Sequence, residues 1–194
     1  QLPFEDGQTW TANGPHHMDG NYGTAATWGS LDFGPSSANR RVVAVAAGTA
    51  YKVSCKSGSG WYLGIDHGNG WRSTYYHLSN QQEGLIGKQV QAGAYLGDAS
   101  RAVPCGGTAT ADHVHLTILK DNAYTNVSGF QSGNYRVYAG GGAYLGSWKD
   151  LSGNTVISVP SSGYMTGGLK STTKPGGGAS ADRDGDGVPD ASDR

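Results

Sequence analysis

Trp61-Tyr62-Leu63-Gly64-Ile65-Asp66-His67-Gly68-Asn69-Gly70-Trp71-Arg72-Ser73-Thr74-Tyr75-Tyr76-His77 consists of two alternating runs around three small residues that tolerate positive φ. Side chains two apart on a strand share a face, so the stretch predicts an antiparallel β-hairpin. Strict alternation puts Trp71, Ser73, Tyr75 and His77 on one face, with Thr74 and Tyr76 on the other. Tyr76 is then either a wall residue or a core residue. Working outward, Arg41 to Ala50 reads as a buried strand and His113 to Lys120 as another alternating one. Val90, Gly93, Tyr95 and Leu96 suggest a short strand after a turn at Gly84 to Lys88. Tyr135 to Val137 and Ala143 to Trp148 suggest a late hairpin around Gly140-Gly141-Gly142. No segment carries a sustained helical stripe. The expected fold is mostly β, an antiparallel sheet with long loops.

Composition fits that reading. Glycine supplies 33 of 194 residues and only 15% are charged, a mixture that suits short strands and many turns. A net charge of -1 without clustered Lys and Arg argues against a nucleic-acid partner. No apolar run approaches the roughly 20 residues needed to cross a bilayer, so no membrane partner is expected. Gln1 to Gln8 do not resemble a signal peptide, so an exported chain is expected here in its mature form. Cys55 and Cys105 are the two cysteines. A bridge between them would stabilise the fold by roughly 4 kcal/mol, whereas two buried free thiols are the alternative; an extracellular location favours the bridge. A monomer is expected.

Chemistry concentrates in the histidines. His113 and His115 lie two apart in a strand and project together. Two neutral imidazoles and one carboxylate leave a zinc ion a fourth position for water, the arrangement of catalytic zinc, and Asp32 is a candidate carboxylate. Taken alone, His-Val-His reads equally well as two hydrogen-bonded strand residues. Its company changes the weight: Gly14-Pro15-His16-His17, Gly29-Ser30-Leu31-Asp32, Tyr75-Tyr76-His77-Leu78-Ser79 and Asp112-His113-Val114-His115 occur in one chain. His67, at a hairpin end, reads as structural. Trp61, Trp71 and Trp148 read as core more readily than as groove residues. The His-Glu-x-x-His helix and the Gly-x-Ser-x-Gly elbow are absent from the sequence.

With Ile65-Asp66-His67-Gly68-Asn69-Gly70, Gly87-Lys88-Gln89-Val90-Gln91-Ala92-Gly93 and the Leu2-to-Trp10 stretch added, the chain resembles the β-lytic and staphylolytic metalloendopeptidases, relatives of lysostaphin, from about Leu2 to Lys120. The resemblance implies a lysostaphin-type peptidase fold. It also implies His16, Asp32 and His115 as zinc ligands, with His77 and His113 beside the metal as catalytic groups. His113 is taken as the general base, His77 as the oxyanion stabiliser and Tyr76 as a substrate contact. His17, directly after His16, is the alternative ligand. Two positions depart from the pattern: Ser73 replaces a usual threonine, and Asp112 stands where proline or glycine is common. The function implied is a secreted zinc endopeptidase cutting Gly-Gly or Ala-Gly bonds of bacterial peptidoglycan cross-bridges, with elastin as a second substrate. The alternative is a noncatalytic peptidoglycan-binding module of the same fold.

Residues 1–168 are expected to form the peptidase domain and 169–181, rich in Ser, Thr, Lys, Pro and Gly, a flexible linker. In 182–194, Asp182, Asp184, Asp186, Asp190 and Asp193 are spaced to wrap oxygen ligands round calcium, resembling a single thrombospondin type 3 repeat. A disordered acidic tail is the other reading of that stretch.

Overall fold

The structure, a computed structural model, describes residues 1–17, 28–161 and 165–172. In chain order the strands are β1 Thr9–Ala12, β2 Ser30–Pro35, β3 Arg41–Val43, β4 Gly48–Ser54, β5 Trp61–Gly68, β6 Trp71–Tyr76, β7 Leu78–Ser79 and β8 Gln89–Val90. They continue with β9 Tyr95–Ala99, β10 Val114–Lys120, β11 Ala123–Tyr124, β12 Gln131–Ser132, β13 Tyr135–Ala139, β14 Gly146–Asp150, β15 Thr155–Val159 and β16 Thr166–Lys170. A single short 3-10 turn, Glu83–Leu85, is the one helical element among the described residues. None of it is long or apolar enough to cross a membrane.

The main sheet runs β16-β1-β2-β10-β6-β5-β4-β8, with β11 attached to β10, and its neighbours pair antiparallel. A three-stranded sheet, β3-β9-β7, and a four-stranded sheet, β12-β13-β14-β15, complete the fold. The Trp61-to-His77 hairpin forms as the alternation predicts, turning at Gly68, Asn69 and Gly70, all at positive φ.

Register sorts the central strands into two faces. Phe33, Val114, Leu116, Tyr75, Leu63 and Ile65 point to one side and are buried, which places the apolar core there. Asp32 lies opposite His115 and His115 opposite Tyr76, so these three share the other face. Rings of Phe4 and Trp10 stack at 4.8 Å, Phe33 lies 6.1 Å from Phe4, and Trp148 meets Phe33 edge-on at 5.6 Å. Through Trp148 the four-stranded sheet joins the main core.

Several boundaries differ from the sequence reading. Arg41 to Ala50 is two strands in two sheets, because Ala44 exchanges backbone hydrogen bonds with Gly93 and Ala94 and the chain turns there. The late hairpin pairs β13 with β14 from Gly146, not from Ala143, since 140–145 form the loop. His113 makes only an isolated bridge to Ser100, and β10 begins at Val114. β16 runs through Lys170 with Leu169 fully buried, so the folded unit reaches beyond the boundary set at 168. Residues 173–181 of the linker and the aspartates Asp182, Asp184, Asp186, Asp190 and Asp193 lie outside the described residues.

Candidate active site

Three side chains from distant parts of the chain converge on the Asp32 face. His16 Nε2 lies 3.2 Å from Asp32 Oδ1 and 3.2 Å from His115 Nδ1, and His115 Nδ1 lies 2.8 Å from Asp32 Oδ1. A backbone bridge between His16 and Ser30 pins the N-terminal segment alongside β2, and the β2–β10 register puts Asp32 beside His115.

Protons alone satisfy this arrangement poorly. His16 Nδ1 sits 3.2 Å from the Gly14 carbonyl, which can only accept, so that nitrogen carries the hydrogen and Nε2 of the neutral ring presents a lone pair. That lone pair faces a carboxylate oxygen. Among the described residues His115 Nε2 has no hydrogen-bond partner, while Nδ1 faces Asp32. Asp32 is almost wholly buried; although burial favours the neutral acid, neighbouring His16 and the hydrogen bond to His115 hold its carboxyl well below the usual range.

Such a convergence of acceptors fits a cation. Ligand atoms round a tetrahedral ion with bonds of ~2.0–2.1 Å lie about 3.3 Å apart, close to the two 3.2 Å edges of this triangle and longer than its 2.8 Å edge. Two imidazole nitrogens and one carboxylate oxygen are a donor set suited to zinc. His17 does not join it: its ring stacks on Trp28 at 5.3 Å.

The remaining two imidazoles stand beside the triangle. His113 Nε2 lies 3.8 Å from Asp32 Oδ1, and the His77 ring centroid lies 4.3 Å from that of His113 and 6.3 Å from that of His115. His77 Nδ1 donates to the Ala102 carbonyl at 2.8 Å and His113 Nδ1 to the Ala111 carbonyl at 2.9 Å. Both rings, when neutral, therefore keep an unprotonated Nε2. Burial, and then the neighbouring His113, push His77 down to about 4.

His77 is on this face because the alternation breaks. Its φ is +63°, so the chain turns left-handed after Tyr76 and the imidazole leaves the core face of Tyr75. Tyr76 is 2% exposed and its hydroxyl is engaged twice, accepting from Cys105 N–H at 2.8 Å and donating to Gly106 O at 2.8 Å. Of the two places that alternation left open, wall or core, the ring takes the buried one. His67 is held between Ala47 O and Ser73 Oγ, each at 2.8 Å, a structural position. Cys55 and Cys105 are disulfide-bonded.

Residues 27–127, more than half of the chain, match the model of peptidase family M23. The chain belongs to this family. Its M23 relatives include protease LasA of Pseudomonas aeruginosa, 32% identical over 74% of this chain and 34% of LasA, and the beta-lytic metalloendopeptidase of Lysobacter enzymogenes, 30% identical over 74% of this chain and 82% of that protein. The chain thus spans about a third of the length of LasA. Among solved structures, the deep-sea M23 metalloprotease pseudoalterin superposes with a TM-score of 0.67 at 25% identity, covering 81% of this chain and 94% of pseudoalterin. The β-lytic resemblance and membership of a peptidase family stand on these matches.

Three residues of this M23 site were not singled out from sequence. Asn13 Nδ2 donates to Asp32 Oδ2 at 3.1 Å, and its Oδ1 accepts the Asp32 backbone N–H at 3.1 Å. Gly14 is required by space: a Cβ there would sit 2.0 Å from the Leu145 carbonyl oxygen. Tyr144 stacks its ring on His16 at 4.0 Å, and burial, with the Asp32 charge, raises its phenol pKa. Gly14 opens the Gly14-Pro15-His16-His17 motif, and Asn13 directly precedes it. Tyr144 lies beyond the matched stretch, on a loop whose approach no local pattern announces.

Proposed function

We propose that this M23 chain is a secreted zinc endopeptidase that hydrolyses Gly-Gly and Ala-Gly bonds in bacterial peptidoglycan cross-bridges. In this reading His16, Asp32 and His115 hold the ion. The observation that carries it is the triangle of three ligand atoms beside two imidazoles whose Nε2 atoms are left free by backbone carbonyls.

Zinc held by these three residues would supply a Lewis acid for the scissile carbonyl and lower the pKa of a bound water. The chain's own groups move the protons. His113 Nε2, beside the ligand triangle, accepts the proton of the attacking water and delivers it to the leaving amine, while His77, whose neutral ring presents an unprotonated Nε2, stabilises the developing oxyanion only after taking up a proton there. Tyr144, 41% exposed, borders the site on the His16 side. A substrate backbone without β-carbons approaches such a flanked site most closely, which favours glycine. The disulfide accords with an oxidising, extracellular setting, and the name of the Lysobacter relative supports a lytic role. A noncatalytic wall-binding module of this fold has no need for both free imidazoles.

The test is a digest of pentaglycine, of peptidoglycan with known bridge composition and of elastin, with and without a chelator, followed by sequencing of the new termini. The parent chain is expected to cut at glycine and to stop when zinc is removed. His113→Ala and His77→Ala are each expected to retain zinc and lose 10²- to 10⁴-fold in turnover. Unchanged turnover in either variant removes that histidine from the mechanism.

A further inference from the structure

One loop supplies the orientation of both free imidazoles. The segment 100–112 links β9 to β10 and carries the Ala102 carbonyl that takes His77 Nδ1–H as well as the Ala111 carbonyl that takes His113 Nδ1–H. Its first residue grips the backbone of both histidines: Ser100 N–H and Ser100 Oγ–H donate to His77 O at 2.9 and 2.7 Å, and His113 N–H donates to Ser100 O at 3.2 Å. None of the three residues of the ligand triangle lies on this loop.

The middle of the loop is fastened from beneath. Cys105 is bonded to Cys55 on the turn between β4 and β5, and there Gly60 lies so close to Pro104 that a Cβ would fall 2.0 Å from its carbonyl oxygen. At the same place the buried Tyr76 hydroxyl accepts from Cys105 N–H and donates to Gly106 O, while the Tyr76 ring meets His77 edge-on at 4.6 Å. At the far end Asp112 pairs with Arg40 at 2.8 Å and with Arg101 at 3.5 Å.

We propose that Tyr76 and the Cys55–Cys105 disulfide are positioning groups that fix the tautomer and aim of His77 and His113 through the 100–112 loop, so that turnover depends on them and metal binding does not. The physical reason is separation of supports. A carbonyl that shifts by an ångström no longer dictates which ring nitrogen keeps the hydrogen, and a ring whose Nε2 is protonated when neutral cannot accept a proton there. The triangle rests on Gly14, Asn13 and the β2–β10 register, whose hydrogen bonds involve neither residues 100–112 nor the Tyr76 hydroxyl. The proposal rests on the hydrolytic reading of the site.

Tyr76→Phe keeps the ring and removes both hydroxyl hydrogen bonds; Cys55→Ser with Cys105→Ser removes the covalent tie. Each is expected to hold one zinc per chain, keep KM for pentaglycine within about twofold and lose roughly 10- to 100-fold in kcat. Reducing the folded parent with a phosphine is expected to give the same loss, reversed on reoxidation, which covers serine variants that fail to fold. Imidazole ¹⁵N spectra give a readout without turnover: the parent is expected to show His77 and His113 as pure Nδ1–H tautomers, and Tyr76→Phe a mixture. Unaltered kcat and unaltered ¹⁵N shifts in Tyr76→Phe, or zinc lost in step with activity, overturns the proposal. A parent chain that cuts no peptide overturns the hydrolytic reading, while its ¹⁵N spectra still decide the positioning role.

Discussion

At the scale of single residues, Asn13 is the most exposing test of how the carboxylate is held. It satisfies Asp32 Oδ2 through its amide N–H and the Asp32 backbone N–H through its carbonyl, while its own backbone oxygen takes the Trp148 indole N–H at 2.8 Å. Asn13→Ala leaves a buried carboxylate oxygen and a buried N–H unpaired, at a cost of about 1–3 kcal/mol in stability. Metal affinity is expected to fall 10- to 100-fold, because a ligand freed to rotate must be ordered again on binding. Competition with a zinc-binding dye checks this, and affinity equal to the parent's would show that β2 alone orients Asp32. Sequence reading reached the residues of the triangle because His16, Asp32 and His115 each sit in a short distinctive motif. It did not reach Tyr144, since stacking on His16 depends on a loop far along the chain. It left Tyr76 between wall and core, since a hydroxyl's partners on 105 and 106 are tertiary facts.

At the scale of elements, the end of β6 shows where periodicity stops being a guide. Alternation was a sound guide from Trp71 to Tyr76, because each of those residues pairs in register with β10. One step later φ turns positive, and the side chain that alternation placed on the face of Tyr75 joins the Asp32 face. An L-residue pays roughly 1–2 kcal/mol in that left-handed region, which glycine avoids. His77→Gly is therefore expected to be more stable than His77→Ala by about 1 kcal/mol, seen as a Tm about 2–4 °C higher. The two variants lack the same imidazole, so the difference isolates the backbone; equal Tm values would mean that the chain relaxes out of the turn. Arg41 to Ala50 illustrates a second limit of the same kind. Ala44 to Ala47 carry no turn residue, and only the pairing of Ala44 with Gly93 and Ala94 divides the run between two sheets.

At the scale of the whole molecule, the chain closes on itself beside the site. β16 returns to pair with β1, bringing Leu169 opposite Trp10, and Ser171 extends the contact by exchanging backbone hydrogen bonds with Gly7 and Gln8 at 2.9 Å. β1 runs directly into Asn13 and Gly14, so whatever steadies it also steadies the approach of His16. A chain ending at Thr172 retains this closure, whereas one ending at Gly168 loses Leu169, Lys170, Ser171 and Thr172. Burial of one leucine is worth about 1.5–3 kcal/mol and each backbone hydrogen bond about 1 kcal/mol, so the shorter chain is expected to be about 3–6 kcal/mol less stable. In a protein of this size that lowers Tm by about 6–24 °C. The 1–172 chain is expected to match the full chain in Tm, zinc content and turnover on pentaglycine. If 1–168 melts with 1–172, β16 adds nothing to the fold; if 1–172 melts well below the full chain, residues beyond 172 belong to the folded unit. Zinc affinity separates the site from the rest: a fall in 1–168 beyond what its lower Tm accounts for would mean that β16 supports His16 through β1.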